Sequence, residues 1–290
     1  MNRGQNHLKI YEVDNASGKK KDIYEEKQKT WISLDVSRIT FLKNNKGFLL
    51  WSDKSGWDHY YLHDMNGKLV NPITAGNFKV YGIRHIDENN GILYFTANKE
   101  NPNRNDLYRV NFDGKNLRRL TFGEYSHVPD ISPKGGYFVT RYSNATMPPK
   151  LSLLDTKGNL IKHIDDSKGP EFSSYSFAKT EIVRVKSEDE KYDLPLKITR
   201  PLNMVQGKKY PVILNIYGAP GAQAVTDSWN LYAFTQRYAA DGAILVSMDH
   251  RGSGEFGKEG QNYMHRNLGY WEMKDIIQGI KWLREKGNAD

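Results

Sequence analysis

Cysteine is absent from this 290-residue chain. That excludes disulfides, thiol catalysis and thiolate metal sites, and leaves the redox compartment undecided. Long apolar runs are missing too. Mean hydropathy is −0.72, and no stretch approaches the roughly 18 consecutive residues that a membrane span needs. No leader pattern stands at the start either, where Met1-Asn2-Arg3-Gly4-Gln5 runs straight into strand-like sequence. Basic residues are in excess, 42 against 34 acidic, for a net charge of +8. They are scattered, however. The densest cluster, Lys19-Lys20-Lys21, follows a Ser17-Gly18 turn, where solvated charge is ordinary. With no basic helix and no aromatic-basic array, no nucleic-acid partner is expected.

What is present, first, is a repeat. Leu8–Asp14 runs on to Gly18, His59–Asp64 to Gly67, Asp106–Asp113 to Gly114, and Lys150–Asp155 to Gly158. Each is an alternating strand that ends in an Asp/Asn/Gly turn. The four glycines are spaced by 49, 47 and 44 residues, with further strands between them at Gly47–Ser52, Gly91–Thr96 and Gly136–Thr140. Four short strands in a period of about 40–50 residues mark a β-propeller blade. A single blade cannot bury both its faces, so blades must stack. About three and a half are countable, the first beginning mid-blade, against about 4–8 in a closed propeller. An open β-sandwich is the alternative. Unpaired blade edges need cover, so either a fragment or missing partner strands is expected.

Some residues of this half invite a functional reading and also carry a simpler one. His59 and His63 share a strand face but have no third ligand nearby, so packing is preferred to metal binding. Glu25-Glu26 are read as solvated charge in a linker between strands. Ser55-Gly56-Trp57 is a hairpin turn with an aromatic flank. Asn144-Ala145-Thr146 matches a glycosylation acceptor, a pattern that arises often by chance.

From about residue 176 the pattern becomes α/β. Glu181–Lys186 and Leu194–Arg200 read as a hairpin around a charged turn, Ser187–Asp193. Val212–Ile216 is a β-branched run, expected to be buried on both faces inside a parallel sheet. Tyr217 follows it, and then Gly218-Ala219-Pro220-Gly221, which cannot continue a strand. Ligands and chemistry gather at the carboxyl ends of such strands, so Tyr217 stands where a polar side chain can act. Trp229, Leu231, Phe234 and Tyr238 predict a helix over Asp227–Ala240. Gly242–Asp249 predicts a second buried strand, and Met273, Ile276, Ile277, Ile280 and Leu283 one helix face that stops near Gly287. His250-Arg251-Gly252-Ser253-Gly254 imitates a nucleophile elbow, but Arg251 fills the place of its first glycine and a long loop follows. Ser253 is therefore read as structural, with Arg251 tying down carboxylates or carbonyls at the sheet's edge.

Several of these stretches, in order, resemble one family. Lys209-Tyr210-Pro211-Val212 with Tyr217–Gln223 resembles the "KYPV…YGGPGSQ" block of the prolyl oligopeptidase family of serine peptidases. Asp249–Gly254, followed by His265–Gly269, resembles its "D-x-RGSG…RxLG" segment. Ser52–Leu62 is similar to "SERDGWNHLYL", and Asn2-Arg3 to the "NR-x-QN" lead-in. The pattern is most like the dipeptidyl peptidase IV branch found in bacteria. The resemblance implies the last blades of an eight-bladed propeller over residues 1–175, then the opening of an α/β-hydrolase domain over 176–290. It implies removal of N-terminal dipeptides through an acyl-enzyme, from peptides with proline at the second position. It implies that the Tyr217 phenol donates to the oxyanion. It implies no cofactor, a homodimer for the full-length protein, and a periplasmic or cell-envelope location.

There are departures from the family. Ala219 replaces its second glycine, which a turn tolerates at negative φ. The serine elbow is expected soon after the position of Asp290, the family's Asp and His later still, and the paired glutamates that hold the substrate's amino terminus upstream of Met1. Glu25-Glu26 do not match that pair. The chain is thus expected to be an internal piece, inactive alone. Two rivals stay open: a non-catalytic propeller-containing binding protein with a decayed hydrolase half, and a tripeptidyl, oligopeptidase or acylaminoacyl relative.

Overall fold

The computed structural model describes residues 1–33, 39–43, 46–230 and 232–290. It forms two compact units, Met1–Lys99 with Leu107–Leu120, and Glu100–Asp106 with Thr121–Asp290.

In the first unit, period-2 alternation builds antiparallel meanders. β1 (His7–Val13) and β2 (Lys20–Lys27) pair by themselves. β3 (Ile39–Phe41), β4 (Phe48–Ser52), β5 (His59–His63) and β6 (Leu69–Pro72) form one four-stranded sheet. β7 (Val80–Asp87), β8 (Ile92–Ala97), β9 (Asp106–Asn111) and β10 (Arg118–Arg119) form another. Gly18 closes β1–β2, Gly67 closes β5–β6 and Gly114 closes β9–β10, at φ of +68°, +83° and +78°. β1 and β2, joined at Gly18, match the last two strands of a complete sheet, as β5 and β6 are joined at Gly67. The sheets pack face to face. Leu49 and Tyr60 share a core with Phe95 and Tyr108, and Ile23 and Tyr24 share one with Phe48 and Leu50.

The second unit holds a third such sheet, of β11 (Ser126–Ile131), β12 (Tyr137–Asn144), β13 (Met147–Asp155) and β14 (Leu160–Asp166), with Gly158 closing its last hairpin at φ +88°. It also holds the α/β sheet. β15 (Thr180–Lys186), β16 (Asp193–Thr199), β17 (Val212–Asn215) and β18 (Ile244–Met248) lie in the spatial order β15-β16-β18-β17. The first two pairings are antiparallel, whereas β17 and β18 run parallel. α1 (Ala233–Ala240) connects that parallel pair, and α2 (Gly257–Asn262) and α3 (Tyr270–Lys286) follow. Leu194, Leu196, Ile198, Ile244, Val246 and Met248 pack with Ile276 and Leu283 of α3. No helix of the described residues is long and apolar enough to cross a membrane.

Four expectations need correction. β17 is not buried on both faces: it is the edge strand beside β18, and Ile213 is 39% exposed. The helix predicted over Asp227–Ala240 begins only at Ala233; Trp229 precedes it, Phe234 and Tyr238 are exposed, and Leu231 lies outside the described residues. On α3, Ile276 and Leu283 are buried with Glu272, Asp275 and Gly279, while Met273, Ile277 and Ile280 face outward. Glu25 and Glu26 are in β2 rather than a linker. Glu26 is buried, accepting hydrogen bonds from the Tyr24 hydroxyl (2.6 Å), Gln28 Nε2 (2.7 Å) and the Ser52 hydroxyl (2.8 Å).

Candidate functional site

The strand ends of β17 and β18 lie side by side because the two strands are parallel neighbours, Asn215 level with Ser247. Two residues past β17 stands Tyr217, 73% exposed. The backbone then turns on Gly218 and Gly221, left-handed at φ of +78° and +74°. Ala219 between them is not left-handed, so the alanine in place of a glycine carries no backbone strain.

The loop after β18 is hydrogen-bonded to this turn. Gly221 N–H donates to the Gly252 carbonyl at 2.8 Å. The Asp249 carboxylate accepts from Ala224 N–H at 2.8 Å and from Val225 N–H at 2.9 Å. Burial pushes the Asp249 pKa up, against the pull of these two amides. The Val225 carbonyl in turn accepts from Asn103 Nδ2 at 3.0 Å and Gln223 Nε2 at 3.1 Å. Asn103 also meets Arg184, at 2.8 Å, and Arg184 is ion-paired with the buried Glu255.

Arg251 does what its place in the sequence suggests. It is fully buried, and its guanidinium takes Asp275 at two points (2.9 and 2.7 Å) and Asp189 at two more (2.9 and 3.2 Å). It lies over the rings of Trp271, Tyr192 and Tyr263, at 4.2, 5.0 and 5.0 Å. The carboxylates outweigh burial and keep it protonated. Burial alone would raise the Asp189 pKa, but bonds from Arg251 and Ser187 prevail and hold it at about 2.

Ser253 is no exposed nucleophile. It is 1% exposed, and its hydroxyl accepts from His250 N–H at 3.1 Å. The His250 ring is also buried, and its Nδ1 accepts from Gly252 N–H at 3.1 Å rather than serving the hydroxyl. With Nδ1 an acceptor and burial lowering its pKa, the ring is neutral.

Elsewhere the simpler readings apply. His59 Nε2 donates to the Gly76 carbonyl at 2.9 Å and Nδ1 meets the Thr74 hydroxyl, while His63 Nδ1 is on the Gly67 carbonyl. Burial lowers the pKa of both rings. Asn144 caps the β12–β13 turn, its Oδ1 accepting from Thr146 and Met147 N–H at 3.0 and 2.8 Å. A cavity of about 530 Å³ lies among Asn103, Arg104, Asn144, Arg184 and Asp227; a smaller one of about 260 Å³ lies among Lys197, Asn215, Phe234 and Ser247. Tyr217 lines neither.

Sequence reading singled out Tyr217 and Arg251 but not Asp249, Asn103, Arg184 or Glu255. Asn103 and Glu255 meet across 152 positions, a separation over which no local pattern gives a signal.

Comparison with known proteins agrees with this architecture. Residues 1–149 match the family described as the dipeptidyl peptidase IV N-terminal region, and residues 226–290 match the prolyl oligopeptidase family. A dipeptidyl peptidase 4 from Trichophyton rubrum is 28% identical over all of this chain, which covers 39% of that protein. The crystal structure of Porphyromonas gingivalis dipeptidyl peptidase 4 superposes with a TM-score of 0.90 at 25% identity, over 100% of this chain and 41% of the other. A protein described as a dipeptidyl aminopeptidase IV from Bacteroides ovatus gives a TM-score of 0.88 at 28% identity, over 100% and 44%. This chain spans 39–40% of the length of the first curated relatives it matches. Its architecture is that of its structural neighbours, propeller blades followed by the start of an α/β-hydrolase sheet. The chain belongs to the prolyl oligopeptidase family of serine peptidases, in its dipeptidyl peptidase IV branch.

Proposed function

We propose that a polypeptide of the relatives' length carrying this segment is a serine exopeptidase. It releases N-terminal dipeptides, preferably after proline, through an acyl-enzyme. This segment supplies Tyr217, whose phenolic O–H donates to the oxyanion of the tetrahedral intermediate. The observation that carries the proposal is the position of Tyr217: an exposed phenol past the carboxyl end of a parallel strand, on a turn clipped to the neighbouring strand's loop. A neutral donor placed there stabilises charge that exists only in the transition state, so its contribution appears in kcat. We place the boundary between the propeller part and the hydrolase part near residue 175.

The test is Tyr217→Phe in that longer polypeptide, assayed on a Gly-Pro chromogenic dipeptide. The variant is expected to lose about two to three orders of magnitude in kcat with little change in KM. An unchanged kcat removes Tyr217 from the oxyanion site. Faster turnover of tripeptidyl or acylaminoacyl substrates than of Gly-Pro would assign the protein to another activity of the same family.

A further inference from the structure

Asp249 is an acid whose partners are main chain. It follows β18 directly, is 1% exposed, and gives one carboxylate oxygen to Ala224 N–H and the other to Val225 N–H, at 2.8 and 2.9 Å. A carboxylate is costly to bury without hydrogen bonds, and the two amides provide them. What it holds is therefore the path of the backbone. That backbone is the loop that begins at Tyr217. Between Tyr217 and Ala224 lie two left-handed glycines, Gly218 and Gly221, and glycine backbones are the loosest of all. β17 anchors the near end of the loop, Gly221 N–H on the Gly252 carbonyl anchors its middle, and Asp249 anchors its far end with two bonds.

We infer that Asp249 is a positioning residue for Tyr217: its grip on the Ala224 and Val225 amides sets the loop that aims the phenol at the reaction centre. The inference rests on the oxyanion reading of Tyr217 given above. Asparagine has the size of aspartate, but only one of its two head atoms accepts, so one amide would face an NH2 group. Asp249→Asn therefore breaks the grip while removing almost no volume.

A double-mutant cycle in the longer polypeptide tests the inference, with Asp249→Asn, Tyr217→Phe and the pair assayed on the Gly-Pro chromogenic dipeptide. Asp249→Asn is expected to lower kcat by roughly ten- to hundredfold, the range for a misaimed catalytic group, with KM within about twofold. In the Tyr217→Phe background the same change should alter kcat by less than about twofold, because the residue acts through the phenol. An equal drop in both backgrounds overturns the inference and leaves the role of Tyr217 intact. No effect of Tyr217→Phe itself overturns the reading beneath it. A second measurement needs no variant. Amide exchange in the 290-residue chain should show Ala224 and Val225 losing protection as pH falls and Asp249 is protonated, while the Phe138 and Ile276 amides keep theirs. Protection at Ala224 and Val225 that does not change with pH also overturns the inference.

Discussion

At the scale of single residues, the strand-end loops are held by buried charge in two opposite electrostatic states. Arg251 is fully buried and satisfied by Asp275 and Asp189 together with three rings. Such pairs contribute less to stability than their geometry suggests, because desolvation cancels much of the attraction. Their titration is informative. Asp189 falls from an ordinary 3.8 to about 2 on folding. Its ionised form is thus favoured in the native state, and that stabilisation is complete above about pH 4 and lost as pH falls through about 2. Asp249 and Glu255 are pushed the other way by burial. Each costs stability above the ordinary carboxylate range, a cost that shrinks as pH falls. Urea midpoints measured from about pH 5 down to about pH 2 should therefore fall less steeply in Asp189→Asn than in the unmodified chain. Parallel profiles would show that Asp189 is not the acid-sensitive partner.

At the scale of elements, one turn occurs four times and its glycines are not equivalent. Gly18 and Gly67 have similar left-handed backbones, at φ of +68° and +83°. A Cβ on Gly18 would meet nothing within 4 Å, whereas one on Gly67 would overlap the Ile23 carbonyl oxygen of the neighbouring sheet. Gly18→Ala should cost only the left-handed penalty, about 1–2 kcal/mol. Gly67→Ala should cost more, because the two sheets must separate there as well. Equal losses in urea denaturation would mean that the stacking contact has no weight. The repeat itself was legible in the sequence, since strand alternation and turn glycines are local signals. The exposed faces were not. The apolar residues Ile213, Met273, Ile277 and Ile280 are outward here because β17 is a sheet edge and α3 buries Glu272, Asp275 and Gly279 instead. Periodicity identifies an apolar face, but not which neighbour covers it.

At the scale of the whole molecule, the segment Glu100–Asp106 joins β8 to the first residue of β9 in sequence yet belongs to the second compact unit. The cause is specific bonding. Asn103 meets Val225, Glu255 and Arg184, its carbonyl accepts from Asp227 N–H at 2.7 Å, and Arg104 is paired with Asp227 at 2.7 Å. Asn103→Ala should destabilise the second unit by about 1–3 kcal/mol, the cost of leaving buried partners unpaired. Amide exchange should then show lost protection in β16 and β18 with none lost in β4 and β8. Uniform loss, or none, would contradict this. The sequence by itself determined the stacked four-stranded repeats, the α/β pattern that follows them, and Tyr217 at a strand's carboxyl end. All of these follow from periodicity, turn glycines and strand-end motifs within a few tens of residues. The tertiary structure alone decided the spatial order β15-β16-β18-β17, the burial of Arg251, and the hold of Asp249 on the Tyr217 loop. Those depend on desolvation and on hydrogen bonds between residues far apart in the chain, such as Asp249 with Ala224 and Arg251 with Asp189, and no local pattern encodes them.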